Sequence, residues 1–144
     1  MSFELPKSVS QIMTTDVVCV EETDHLSNLL ESMQALRFRH LPVTDDGRLL
    51  GLLTERDLLR LSTSNLLPHR AQQDRALFAR FRVCDVMVRD VVTVSPETPA
   101  AVAGKLLLDK RLGCLPVVTA TNELVGIVTS ADFVRAMTKA SPTP

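Results

Sequence analysis

Residues 51–59 read GLLTERDLL, and residues 126–134 read GIVTSADFV. Both run Gly, two apolar residues, Thr, two variable residues, Asp, two apolar residues. The match extends outwards. VSQIMTTDVVCV (9–20) lies over VCDVMVRDVVTV (83–94), and RHLPV (39–43) over GCLPV (113–117). The pairs include Met13/Met87, Asp16/Asp90, Val17/Val91, Val18/Val92, Val20/Val94, Pro42/Pro116, Gly51/Gly126, Thr54/Thr129 and Asp57/Asp132. The spacing grows by one residue between Pro42/Pro116 and Gly51/Gly126, so the second copy holds one extra residue in the turn between them. An ordered series of matches at one period marks an internal repeat.

Each copy reads as β-α-β-β-α. VVCV and VVTV are short β-branched runs of strand type. Asp24 and Thr98 stand where a helix N-cap belongs, and Pro99 suits a first helical turn. Leu26, Leu29, Leu30, Met33 and Leu36 then recur at helical spacing. LPVT and LPVV are second strands. Asp45, Asp46 and Gly47 signal a hairpin turn into LLGLLT, and TATNE makes the second turn. ERDLLRLS and SADFVRAMTK are second helices. The fold class is α/β in the wide sense (α+β): two repeats packed with pseudo-twofold symmetry. A lone repeat of this size has a marginal core, so the two should bury their sheet faces jointly.

The expected organisation is an N-terminal extension (1–8), a first repeat (9–61), a linker (62–82), a second repeat (83–137) and a frayed tail (138–144). In the linker, Pro68 breaks the preceding helix, and a further helix with a solvated basic side should follow from Ala71. Met13 and Met87 fit core packing, and His25 and His69 should face solvent.

The bulk properties narrow the function. The chain has 144 residues, 16 basic and 17 acidic side chains and a formal charge of −1. Near-neutral charge argues against nucleic acid, and five Phe without Tyr or Trp argue against a base-stacking platform. No apolar run approaches the ~20 residues of a membrane span. The N-terminus lacks the order of a signal peptide, which points to the cytoplasm. Cys19, Cys84 and Cys114 have neither disulfide-framework nor zinc spacing and read as small apolar residues. No P-loop, HExxH or G-x-S-x-G run is present, so the chain does not read as an enzyme, and no metal or catalytic cofactor is expected.

Thr-x-x-Asp at the head of a helix admits two readings that are compatible. It is nearly a capping box: Thr54 and Thr129 cap the helix, with Asp57 and Asp132 on its positive end. Glu or Gln would suit that box better, because the third residue needs reach. The second reading is a ligand site. Free backbone N–H groups and a hydroxyl at a helix N-terminus favour an anion, and an Asp one turn in accepts from paired hydroxyls such as those of ribose.

DVVCV, RHLPV and GLLTERDLL, with DVVTV, GCLPV and GIVTSADFV, resemble a tandem pair of CBS domains, a Bateman module, across about residues 9–61 and 83–137. The resemblance implies two clefts between the copies that bind adenosine-containing ligands: AMP, ADP or ATP, with S-adenosylmethionine and NAD as further candidates. One site would use Thr54 and Asp57, with Arg37, Arg39, His40 and Arg56 towards phosphate, and Val88, Val91 and Leu115 lining adenine. The other would use Thr129 and Asp132, with Arg111 towards phosphate, and Thr14, Val17 and Leu41 near adenine. Arg39 and His40 are replaced by Gly113 and Cys114 in the second copy, and Arg56 by Ala131. The Asp57 site should therefore prefer more highly phosphorylated ligands than the Asp132 site.

The resemblance further implies a homodimer that regulates a separate, unidentified partner protein. An alternative function stays open: a ligand-free dimerisation module in which Thr-x-x-Asp only caps helices.

Overall fold

The structure is a computed structural model that describes residues 5–29, 40–61 and 78–140, with the backbone alone for 59–61 and 140. Arg37, Arg39, Leu30, Met33, Leu36 and linker residues 62–77 lie outside the described residues. The chain divides into two compact units. Residues 1–17 and 92–144 form one, and residues 18–91 form the other.

In the unit of residues 18–91, β1 (His40–Asp45) and β2 (Arg48–Thr54) make an antiparallel hairpin that runs into α1 (Glu55–Leu61). The short helix α2 (Val83–Val86) closes this unit. In the other unit a 3₁₀ turn (Val9–Gln11) precedes α3 (Ala100–Asp109). There β3 (Cys114–Val118) pairs antiparallel with β4 (Leu124–Thr129), and α4 (Ser130–Ala140) follows. The two hairpins are built alike. Gly51 stands opposite Val43 and Gly126 opposite Val117, with an irregularity just after each valine. The first turn places Asp46 at φ 50° and Gly47 at φ 79°, the two left-handed residues that a type I′ turn requires.

The sequence repeats exchange leading segments. Val9 belongs by sequence to the first repeat, yet it is buried with Val94, Leu115, Val117 and Val128 of the second. Val83 and Met87 are likewise buried with Leu26, Leu41, Val43 and Leu53. Burying a valine fully contributes about 1.5–3 kcal/mol, so each lead anchors to the core it joins. The backbone hydrogen bonds repeat just as closely. Val9 N–H donates to Thr98 O, and Val83 N–H to Asp24 O. Thr14 exchanges both bonds with Ile127, and Val88 does the same with Leu52.

This exchange corrects two expectations. Asp24 and Thr98 do not cap the following helix. Asp24 Oδ2 accepts the N–H of Glu21, and Thr98 Oγ1 that of Ser95, each closing the turn before the helix. The N-cap of α3 is Pro99 rather than Thr98. The donors at the helix starts are met instead by the leading segments: Ala100 N–H by Lys7 O, and Leu26 N–H by Phe81 O. The runs VVCV and VVTV also pair less than their composition predicts. Only Val20 and Val94 bridge, in parallel, to Val43 and Val117. Val17 and Val18 mark the point where the chain passes from one unit to the other, as do Val91 and Val92. These residues serve as connectors between the units.

Candidate functional site

Each β-hairpin delivers its Thr-x-x-Asp to the end of its second strand. Thr54 is the last residue of β2, and Thr129 is the last of β4. Asp57 and Asp132 sit in the first turn of the helix that follows. In the 18–91 unit, Asp57 Oδ2 accepts the Thr54 N–H at 3.0 Å and the Thr54 hydroxyl at 2.9 Å. The Asp57 N–H returns to Thr54 Oγ1 at 3.3 Å. This is a reciprocal capping box built on Asp. The expectation that Asp lacks the reach is therefore corrected. Thr54 and Thr129 end a strand that turns straight into the helix, which brings their N–H groups close enough for the shorter side chain.

Asp132 accepts the same two bonds from its Thr and more. Its Oδ2 accepts the Thr129 N–H at 2.8 Å and the Thr129 hydroxyl at 3.4 Å. Its Oδ1 accepts from the Thr14 hydroxyl at 2.9 Å and pairs with the Arg135 guanidinium. Asp132 is only 4% exposed and is the buried charged residue among those described. Among the described side chains, the hydrogen bonds at Asp57 all fall on Oδ2, and Asp57 is half-buried.

Sequence reasoning placed Thr14 beside adenine; the structure joins its hydroxyl to the Asp132 carboxylate. Arg135 was missed. Its signal is present in both copies, because Thr-x-x-Asp extends to Thr-x-x-Asp-x-x-Arg, with Arg60 at the matching place. Acid and base three residues apart on a helix are neighbours.

The other expected residues fall into three groups. Val88 is exposed and pairs with Leu52, two residues before Thr54, and Val91 is half-buried in the same unit. Val17 is half-buried in the unit that holds Asp132. Leu41 and Leu115 are core side chains of their own units, at 3% and 0% exposure. Arg56 and Arg111 are exposed, and His40 is half-buried. Cys114 takes the place of His40 in the second copy. It is buried, and burial pushes its thiol up to about 12. It therefore stays neutral at physiological pH and offers a ligand no charge. A groove of about 490 Å³ lined by Thr93, Ser95, Thr98, Val102, Val118 and Thr119 includes neither Thr129 nor Asp132.

The CBS-domain profile matches residues 9–64 and 83–139, the same two stretches that carry the repeated strand, helix and Thr-x-x-Asp. The chain belongs to the CBS-domain family. It is 30% identical over 132 residues to a CBS domain-containing protein of Dictyostelium discoideum, covering 91% of each chain. The CBS-pair protein CBSX2 from Arabidopsis thaliana superposes with a TM-score of 0.83 at 28% identity, over 93% of this chain and 96% of that one. CBSX2 has also been solved in complex with AMP, and that structure matches with a TM-score of 0.78 at 29% identity, covering 92% and 97%. The cytosolic domain of the Mg²⁺ channel MgtE, solved with ATP, matches with a TM-score of 0.70 at 27% identity, over 90% of this chain and 48% of that one. Among the described residues of this CBS pair, no three His, Cys, Asp or Glu side chains group to hold a metal, and no helix is long and apolar enough to cross a membrane.

Proposed function

We propose that this CBS pair is a regulatory sensor of adenosine nucleotides, with Thr54/Asp57 and Thr129/Asp132 holding ribose and phosphate. In this reading it performs no reaction, and it acts as a cytoplasmic homodimer that signals to a separate partner chain. The observation that carries the reading is the repeated carboxylate. Each unit fixes an Asp by the N–H of the preceding Thr with one oxygen, and the second oxygen lies outside that cap. A cap alone needs only one of the two oxygens. The solved CBS relatives with AMP and with ATP supply the ligand class. Signalling requires that the nucleotide bind two arrangements of the protein with different affinity.

The completed caps also favour a second reading, a ligand-free assembly module, and one experiment separates the two. Thermal melting with AMP, ADP, ATP, S-adenosylmethionine and NAD should show a shift of several degrees for at least one of them, since ligand at 100 times its Kd adds about 2.7 kcal/mol. Asp57→Ala and Asp132→Ala should then differ. The variant that retains the Asp57 site should prefer ATP over AMP more strongly, because His40 and Arg56 are replaced at the other site by Cys114 and Ala131. Absence of any shift would favour the assembly module. Identical nucleotide preferences in the two variants would refute the difference between the sites.

A further inference from the structure

One position of the repeat treats the two carboxylates differently. Thr14 and Val88 occupy matching places, and each exchanges two backbone hydrogen bonds with the second strand of its unit, at Ile127 and at Leu52. Their side chains differ in chemistry. The Thr14 hydroxyl donates to Asp132 Oδ1 at 2.9 Å, whereas Val88 has nothing to donate to Asp57. The Asp132 carboxylate already accepts from the Thr129 N–H, the Thr129 and Thr14 hydroxyls and the Arg135 guanidinium, at 4% exposure.

A ribose diol needs carboxylate lone pairs that face it. At Asp132, the oxygen not used by the cap is held by Thr14 and Arg135. A diol must displace a donor there, and the protein loses a charge-assisted hydrogen bond for each one gained. Val88 imposes no such exchange at Asp57.

We propose that Thr14 is a specificity-determining gate on the Asp132 site, which lowers that site's affinity for ribonucleosides by competing for Oδ1. The inference rests on the ribose-binding reading above. It assigns Thr14 an internal role that opposes the ligand. The exchange changes no covalent bond: the diol takes the place of the Thr14 hydroxyl on Oδ1.

The test is made with AMP in the Asp57→Ala background, so that only the Asp132 site remains. Adding Thr14→Val should tighten AMP binding about tenfold, the worth of one hydrogen bond to a charged group. Thr14→Ser retains the hydroxyl and should leave affinity within about twofold of the background. Both substitutions keep the Thr14 backbone pairing with Ile127, and a cooperative melt confirms folding.

Unchanged or weaker AMP binding with Thr14→Val overturns the gate while the site reading stands. If the Asp57→Ala protein binds no AMP and Thr14→Val does not restore it, both the gate and the use of Asp132 for ribose are overturned. If AMP binding in that background survives Asp132→Asn undiminished, the ribose reading of Asp132 fails separately, whatever Thr14 does.

Discussion

Gly51→Ala should lower the melting temperature by roughly 5–10 °C, and Gly126→Ala by a similar or slightly smaller amount. A Cβ on Gly51 would stand 2.7 Å from the Val88 carbonyl oxygen and 3.0 Å from Met87 Sδ. On Gly126 it would meet Met13 Sδ at 2.8 Å and the Thr14 carbonyl oxygen at 3.0 Å. A methionine side chain can turn away from such a contact, but a backbone carbonyl cannot. The Val88 carbonyl is itself bound by the Leu52 N–H at 2.9 Å, so moving it breaks the pairing that holds the leading segment to β2. Overpacking of this kind costs about 1–3 kcal/mol. The closer backbone contact makes Gly51 the more sensitive site. Thermal denaturation of the two variants checks the order as well as the size. Neither glycine is needed for its own φ; each is needed because another part of the chain lies against it.

Asp132→Ala should cost more stability than Asp57→Ala. At Asp132 the substitution strands the Thr129 N–H and the Thr14 hydroxyl in a half-buried setting and leaves Arg135 without its partner. A stranded buried donor costs about 1–3 kcal/mol, which puts the loss at roughly 2–4 kcal/mol. At Asp57 the loss is that of a half-exposed helix cap, about 0.5–2 kcal/mol. Arg135 is 59% exposed, so its ion pair adds little to this difference. Urea denaturation at neutral pH measures both losses, and equal values for the two variants would contradict the asymmetry. Asp132→Asn keeps an acceptor in place and should recover most of the stability.

Much of this arrangement was legible in the sequence because it is local. Asp46 and Gly47 announce the first hairpin turn, and Thr54 and Thr129 mark where strand becomes helix. The matched spacing of the two copies singles out Asp57 and Asp132 as candidates. What was not legible depends on contacts far apart in the chain. Thr14 and Asp132 are 118 residues apart, and nothing near either announces their bond. Gly51 and Gly126 were visible as repeats, but the segment that demands them comes from the other copy's lead. VVCV has the composition of a strand, yet the chain passes between units there and only Val20 bridges to a strand. Asp24 and Thr98 have the side chains of N-caps, but the backbones of Phe81 and Lys7 reach the helix starts first.

The central claim is that the repeated Thr-x-x-Asp binds adenosine nucleotides as well as capping helices. Isothermal titration of AMP and of ATP into the wild-type protein and into the Asp57→Ala/Asp132→Ala double variant tests it most directly, with cooperative melting as the check on folding. If the double variant melts below the working temperature, Asp132→Asn replaces Asp132→Ala. The account predicts saturable binding of at least one nucleotide to the wild type, weakened at least 100-fold in the folded double variant, since a ribose diol at the Asp57 site loses two hydrogen bonds to a charged acceptor. Equal affinity in the two proteins would contradict it.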